Sequence, residues 1–546
     1  MLSKLMDIHG DNSFKAKSYS SAAFTIEKLP MQLATVEPDK IFSIKGIGES
    51  VGRKILEQLE TGTLLALQEY VHKTPPGVIE MLNIKGIGPK KIATIWKDME
   101  VETLGELLYA CEENRLTLYK GFGEKTQQSV KEGIEFYLGT LGSYLYQQIE
   151  SYTLNVHEKL NKAFDAEFIL TGTFRRQMEI IEKLEWVTTA SGDELKIFFI
   201  AGNYEIVNEE AGYVSFKGKE NVTLGFFCCY EGQLYNQLFA TSCSEVFLQA
   251  WISVTGWDAT NPYSSEEEIF EDCNCAFIPV CERETAEIIE LALNNQLPEL
   301  IQTTDIRGVI HCHSKWSDGL NSIEEMVKAC IDKGYEYLVI SDHSKTASYA
   351  QGLQVERVMA QHGEIDELNA KYPSFRIFKS IESDILSDGS LDYDSNVLST
   401  FDIVIASVHS NLKMTEEKAM LRLMNAIANP FTSILGHMTG RLLLSRNGYP
   451  VNHKTIIEAC AAHNVVIELN AHPRRLDVDW RWIDYALEKN VLISIDPDAH
   501  NVDGYNDCKY GVLVAQKAGL TKEQNLSSFN LARLEEFVVQ QQLKRK

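Results

Sequence analysis

From residue 309 onward, short apolar runs alternate with amphipathic segments. GVIH, YLVISDH, FRIFKSIE, DIVIASVH, SILGH, VVIELN and VLISID read as seven strands, each bounded by polar or turn-forming residues. Between the first two, Asn321 or Ser322 can cap a helix whose Ile323, Met326, Val327, Cys330 and Ile331 fall on one face. Strand–helix alternation at this spacing predicts a parallel sheet closing toward a barrel. Residues 151–300 mix the two periods: LKIFFIA, YVSFKG and VTLGFFCCY read as strands and SEVFLQAWIS as a helix. LPELIQTTDIRG (297–308) reads as a linker into the last domain.

The first 140 residues carry a repeated phrase: FSIKGIGESVGRKI (42–55), LNIKGIGPKKIATI (82–95) and, weaker, YKGFGEKTQQSV (119–130). Each sets an apolar residue before a GxG turn and a helix-forming run. Glycine tolerates positive φ, and such a turn brings backbone N–H groups and a helix N-terminus to the surface, where they suit a phosphate oxygen. The phrases resemble helix-hairpin-helix motifs, which implies contact with a DNA backbone through Gly46, Gly48, Gly86, Gly88 and Lys90. The alternative is a set of tight turns that serve helix packing or protein docking.

Length and charge sharpen this picture. At 546 residues the chain has room for three to four domains. Hydrophobic residues at 44% and charged residues at 24% exclude collagen-like, low-complexity and largely disordered classes. A net charge of -25 argues against indiscriminate polyanion binding, so any nucleic-acid contact is local. Residues 1–150, with 17 basic and 20 acidic side chains, escape the acidic bias of the rest. Ten of the 13 histidines fall from His311 onward, which points to metal chemistry there. The 11 cysteines lack a paired framework and read as reduced thiols, and no stretch nears the ~18 apolar residues of a membrane span. These features predict a cytoplasmic protein without a membrane partner.

Nearly every C-terminal strand ends in a metal-ligand type. His311, His313 and Asp318 lie in HCHSKWSDG, Asp342 and His343 in SDHS, and Glu382 in SIESDI. His409 follows in SVHS, His437 in GHMTGR, and Asp498 with His500 in DPDAH. In a parallel barrel the C-terminal strand ends meet at one mouth, and positions i and i+2 share a side. His362, His453 and His463 lack this placement and read as structural.

These motifs, in this order, resemble the polymerase and histidinol phosphatase (PHP) domain. The whole chain is similar to the bacterial family X DNA polymerases that carry that domain C-terminally. The resemblance implies nine ligands for up to three divalent ions: His311, His313, Glu382 and Asp498 at one site, Glu382, His409 and His437 at a second, and Asp318, His343 and His500 at a third. Glu382 would bridge the first two, and Asp342 would orient a histidine. The implied metal is manganese first, with zinc and iron left open. Closely spaced divalent ions turn bound water into hydroxide near neutral pH and neutralise a phosphoryl group, so phosphoester hydrolysis is the expected reaction, with Glu382 and Asp498 central to it. Arg441 and Arg475 are candidate phosphate clamps, or else structural ion-pair partners.

The resemblance also exposes a departure. A family X palm has a GSxRR element leading to an Asp-x-Asp pair, with a third aspartate on a later strand. Here TGTFRRQMEIIEKLEW supplies Gly172, Thr173, Arg175 and Arg176, but the metal positions fall on Lys183 and Glu185, and Thr223 takes the third. An ammonium where a dication should sit opposes two-metal nucleotide transfer, so polymerase activity is expected to be lost. GDNSFKAKSYSSAAFTIEKL resembles the small lyase-type domain, in which Lys54 aligns with a Schiff-base lysine; the other reading is a phosphate-contacting or solvated helix residue.

The expected architecture is multidomain α and α/β. A helical lyase-like domain (1–75) and a helical fingers-like domain (76–145), both with helix-hairpin-helix motifs, precede a mixed α/β degenerate palm and thumb (146–300) and a distorted (β/α)7 PHP barrel (301–546). The expected function is a metal-dependent DNA phosphoesterase of DNA repair, a 3′-5′ exonuclease with abasic-site endonuclease activity as an extension. The alternatives are a phosphatase of a small phosphomonoester, of histidinol-phosphate type, and a non-catalytic DNA-binding scaffold. DNA, duplex or gapped, is the expected partner, and the sequence identifies no protein partner.

Overall fold

The computed structural model describes residues 1–27, 29, 33–139 and 142–545, so Lys28 of the lyase-like segment lies outside the described residues. It divides into two compact units, Met1–Tyr137 and Leu138–Lys546. Among the described residues no helix is long and apolar enough to cross a membrane.

The first unit is helical, and its two hairpin-bearing halves share one packing. The helix Leu2–His9 touches both Leu65–Lys73 and Pro89–Lys97. At its end the His9 ring meets Tyr70 and Trp96 edge-on at 5.4 and 5.2 Å. Its Nε2 lies 2.8 Å from Thr74 Oγ1.

In the second unit the helix Tyr146–Ala163 leads into a five-stranded mixed sheet: β1 (Phe168–Thr171), β2 (Lys183–Thr188), β3 (Glu205–Glu210), β4 (Tyr213–Lys217) and β5 (Thr223–Cys228), in the order β1-β2-β5-β4-β3. Only β2 and β5 run parallel, with Lys183 paired to Thr223 and Glu185 to Gly225. YVSFKG and VTLGFFCCY are strands as expected, but LKIFFIA is not. It lies in the helix Gly192–Ala201, started by a reciprocal cap between Ser191 and Glu194. That local signal outweighs the apolar run, of which Leu195 and Phe199 are buried while Ile197 and Ile200 stay exposed. Helices up to Leu293 then enclose Phe239, Phe247, Trp251 and Phe270. The fully buried Arg283 guanidinium sits over the Phe239, Phe270 and Phe277 rings and pairs with Glu266 at 2.6 Å.

All seven expected C-terminal strands form: β6 (Gly308–Val309), β7 (Tyr337–Ile340), β8 (Arg376–Asp384), β9 (Ile403–Ser407), β10 (Ile434–Leu435), β11 (Val466–Asn470) and β12 (Ile493–Asp496). They pair in sequence order, every pair parallel. A parallel bridge between Cys312 and Ala499 joins the first and last strand ends and nearly closes the barrel. Strands buried on both faces explain why these runs lack polar alternation until their ends. Ser322 rather than Asn321 caps the helix Ile323–Asp332. Ile331 departs from the expected buried face and is 42% exposed.

His362, read from sequence as structural, is buried on the helix Val355–Lys371 with its ring 5.0 Å from Phe401. Burial pushes its pKa down to about 4. Below the unfolded value of about 6.5 the unfolded chain therefore binds a proton that the fold refuses, so stability present above that pH is lost as pH falls toward 4. Replacing His362 by Gln should remove about 2 kcal/mol of the stability difference between pH 7 and pH 5. Urea unfolding of the barrel at both pH values checks this; an unchanged difference would refute it.

Candidate metal centre and hairpin turns

The strand ends bring the nine candidate ligands together, with Glu382, the seventh residue of β8, at their centre. His409 Nε2 and His437 Nε2 each lie 3.0 Å from Glu382 Oε1, and His311 Nε2 lies 3.2 Å from it. His343 Nδ1 stands 2.9 Å from Glu382 Oε2. Asp498 Oδ1 lies 3.0 Å from His313 Nε2 and 3.4 Å from His311 Nε2. Asp318 Oδ2 and Oδ1 stand 3.6 Å from His343 Nε2 and His500 Nε2 respectively. Three overlapping groups have donor atoms within 4.8 Å of one another: His313, Asp318, His343 and His500; His311, His313 and Glu382; His343, Glu382 and His409. His343 presents one ring nitrogen to Glu382 and the other to Asp318, so it stands between two groups rather than in one.

The backbone is bent to make this convergence. His311 and Asp498 adopt φ of 59° and 52°, sparsely populated for residues with a side chain and costing about 1–3 kcal/mol each. The loop that carries His313 and Asp318 closes on Gly319, where a Cβ would stand 2.1 Å from the His313 carbonyl oxygen.

Electrostatics follow from this crowding. Burial alone would raise the Glu382 carboxyl, but the His409, His311 and His343 imidazoles hold it well below the usual range. Burial would lower His311, and the Glu468, Asp498 and Glu382 carboxylates instead raise it well above its ordinary value. Burial pushes His313 down, helped by His343 and His500. His311 Nε2, His313 Nδ1, Asp318 Oδ2, His343 Nδ1 and Glu382 Oε2 are buried without a hydrogen-bond partner despite their short mutual approaches. Buried, unsatisfied imidazole nitrogens and carboxylate oxygens that point at common centres fit a divalent cation.

Sequence reasoning missed the carboxylates behind the ligands. Glu468 Oε2 accepts from His311 Nδ1 at 2.5 Å, while its Oε1 accepts from the His437 amide at 3.1 Å and from Asn470 Nδ2 at 3.0 Å. The same Asn470 nitrogen reaches Asp498 Oδ2 at 3.0 Å. Asp384 holds His409 Nδ1 at 2.5 Å. The signal was present: Asp384 follows Glu382 by two residues on one strand face, and ELN places Glu468 and Asn470 in the same relation. Asp342 corrects an expectation, because it accepts from the Ser314 amide at 2.8 Å, from Gln361 Nε2 at 2.6 Å, and from the Ser314 and Ser317 hydroxyls. It fixes the loop that bears His313 and Asp318 rather than a histidine ring.

The two candidate clamps differ. Arg441 donates from Nε to the Arg475 carbonyl at 3.0 Å, from Nη1 to Asp479 at 2.5 Å and from Nη2 to the Leu476 carbonyl. Its fork is spent on protein, the structural alternative for that residue. Arg475 lies at the centre's edge, with Nε 3.9 Å from Asp498 Oδ2. At the five-stranded sheet, Lys183 Nζ sits 2.6 Å from Glu185 Oε1, and Arg175 and Arg176 are ion-paired with Glu266 and Glu284. Among the described residues the three metal-capable groups all lie in the barrel.

The three glycine turns repeat closely. Gly46, Gly86 and Gly121 adopt φ of 95°, 95° and 96°. Gly48 and Gly88 cap the helices Glu49–Thr61 and Pro89–Lys97 without a side-chain hydrogen bond, leaving first-turn N–H groups open. Lys45, Lys85 and Lys120, before each first glycine, are exposed, as is Lys90. Lys54 Nζ pairs with Glu57 at 2.8 Å.

Comparison with known proteins agrees with both regions. Residues 1–64 match a helix-hairpin-helix domain, 78–135 a SAM-like helix-hairpin-helix tandem, and 310–472 the PHP domain. The fold and site together define a PHP-type phosphoesterase domain behind tandem helix-hairpin-helix modules. The chain is 32% identical to the DNA polymerase/3′-5′ exonuclease PolX of Bacillus subtilis (strain 168), over 98% of this chain and 96% of the relative. It belongs to the PolX family with a C-terminal PHP domain. The chain is also similar in part to shorter proteins, among them a probable phosphatase of Thermoanaerobacter sp. (strain X514), 25% identical over 39% of this chain and 93% of the relative. Another is a probable phosphatase of Caldanaerobacter subterraneus subsp. tengcongensis, 27% identical over 29% of this chain and 60% of the relative.

Glu468 sets the His311 tautomer and raises its basicity, so Glu468→Gln is expected to weaken divalent-metal binding about 10- to 100-fold in a fold of unchanged melting temperature. Calorimetric titration of the metal-free protein with manganese measures this. Affinity within twofold of the parent would exclude the role.

Proposed function

We propose that this chain is a metal-dependent DNA phosphoesterase acting as a 3′-5′ exonuclease, with cleavage at abasic sites as a second reaction of the same centre and with templated synthesis lost. The observation that carries the reading is the convergence of eight imidazole and carboxylate side chains with the buried Glu382, in a chain that also bears three near-identical phosphate-suited turns. His311, His313, Glu382 and Asp498 would hold one ion, Glu382, His409 and His437 a second, and Asp318, His343 and His500 a third. Ions bound there supply Lewis acidity, yielding hydroxide near neutral pH and offsetting charge on the phosphoryl group.

The chain's own residues do the rest. Asp384 and Glu468 keep the far nitrogens of His409 and His311 protonated, so the opposite lone pairs face inward. Arg475, beside Asp498, receives a non-bridging phosphate oxygen. The turns at Gly46, Gly86 and Gly121 hold the DNA backbone, with Gly48, Gly88 and Lys90 at the following helix starts. Lys54, engaged with Glu57, is read as a helix residue rather than a Schiff-base nucleophile. The Lys183–Glu185 pair supports the loss of synthesis, because a cationic side chain already balances the one carboxylate present. Manganese is the proposed metal and the cytoplasm the proposed location.

The relatives that match only part of the chain are named probable phosphatases, which makes a small phosphomonoester the competing substrate. The hairpin unit favours DNA.

With manganese, the purified protein should shorten an end-labelled primer from its 3′ end, add no nucleotide when deoxynucleotides are supplied, and lose hydrolysis in a His311→Ala, His313→Ala variant. Extension by the parent would overturn the loss of synthesis; hydrolysis persisting in the variant would overturn the site. Lys85→Glu combined with Lys120→Glu is expected to weaken DNA binding about tenfold and flatten its salt dependence by roughly one to two units in log–log slope. Fluorescence anisotropy across a salt series reads both, and unchanged binding would remove the turns from the DNA contact.

A further inference from the structure

The GTFRR element and the residues after it are used by no step above, yet their side chains are tied into the molecule. Arg176 and Glu284 meet Lys517 of the barrel, whose buried ammonium donates to the Arg176 carbonyl at 2.7 Å and to Glu284 Oε1 at 3.0 Å. Lys509 pairs with Glu150 at 2.5 Å elsewhere on the same seam. The crevice on this seam lined by Tyr146, Gln177, Glu179, Leu476 and Tyr510 has room for little more than one water. Close-packed contacts of this kind pass displacement on rather than absorb it.

One line of contacts crosses the seam and ends at the metal centre. Glu179, three residues beyond Arg176 and 6% exposed, accepts from Arg481 Nη1 at 3.1 Å. Arg481 pairs with Asp479 Oδ1 at 2.9 Å, and the other oxygen of Asp479 holds Arg441. Arg441 grips the carbonyls of Arg475 and Leu476, and Arg475 stands beside Asp498. Each partner limits the geometry of the next, and at Arg441, which donates from Nε, Nη1 and Nη2, a planar fork fixes orientation as well as distance.

We propose that Glu179 of the palm is a positioning residue for the barrel mouth: through Arg481, Asp479 and Arg441 it holds the 472–477 loop, and with it the Arg475 guanidinium, at the metal centre. The palm is then a working part of the hydrolytic site and not only a spacer. The inference rests on the proposed function for what Arg475 binds, but its physical content is the loop's rigidity, which is measurable without catalysis.

The test is hydrogen–deuterium exchange on the full-length, metal-free protein, comparing the parent with Glu179→Gln, Arg481→Gln, Asp479→Asn and Glu150→Gln. The first three should raise amide exchange in residues 472–477 about three- to tenfold, with the rest of the barrel unchanged. Glu150→Gln, which loosens the seam away from this line, should leave the loop as it is. Unchanged exchange in Glu179→Gln overturns the proposal, and so does an equal rise in Glu150→Gln, which would mean general loosening. Kinetics on end-labelled DNA with manganese supply a second readout: Glu179→Gln should raise KM with kcat within twofold, since the metal ligands are untouched. A fall in kcat at unchanged KM would overturn the assignment of the loop to substrate positioning. A parent inactive on DNA would count against the proposed function while leaving the exchange result to decide this inference.

Discussion

One buried carboxylate sets the terms for the barrel. Glu382 has no exposed side-chain surface, and it is approached by imidazoles from the ends of β6, β7, β9 and β10. A lone buried anion would be prohibitive, and packed neutral imidazoles would leave nitrogens unsatisfied. Together they are tolerable only as a set, so each strand must deliver its ligand to within a fraction of an ångström. The strained φ at His311 and Asp498, the crowded Gly319 and the outer carboxylates Glu468 and Asp384 all read as consequences of that demand.

Much of this was legible in the chain because a parallel barrel converts sequence position into spatial position. A ligand type at a strand end lies at the mouth whichever strand it follows, so nine residues spread from 311 to 500 could be gathered without coordinates. Glu468 and Asp384 were harder to see, since the i, i+2 rule that explains the HxH and DxH pairs was not extended to the carboxylates inside β8 and β11. Asp342 adjoins His343, but successive residues on an extended segment point to opposite sides, and it serves a neighbouring loop. LKIFFIA failed for another reason. Its apolar content reflects surface that the helix leaves exposed at Ile197 and Ile200, and the deciding information lay upstream in Ser191 and Glu194.

The acidic charge looks different once located. Glu382, Asp498, Asp318, Glu468 and Asp384 are inside the barrel, facing imidazoles rather than an approaching polyanion. The exposed lysines of the glycine turns stand in the part of the chain where basic and acidic side chains nearly balance. A strongly negative total is therefore compatible with a phosphate-bearing partner, because potential at a surface depends on nearby charge and screening removes the rest within about 10 Å.

The Lys183–Glu185 pair also bears on what charge the five-stranded sheet can carry. Glu185 is buried and balanced by Lys183, and Gly172 stands so close that a Cβ there would lie 2.5 Å from Glu185 Oε2. Exchanging Lys183 alone for an acidic residue would set a like charge beside a buried carboxylate, while Arg175 and Arg176 stay committed to Glu266 and Glu284. Placing a dication at this sheet would therefore need several exchanges at once. Local pairs of this kind tie the charge on one strand to the interface beside it, so stability as well as chemistry limits which residues these positions accept.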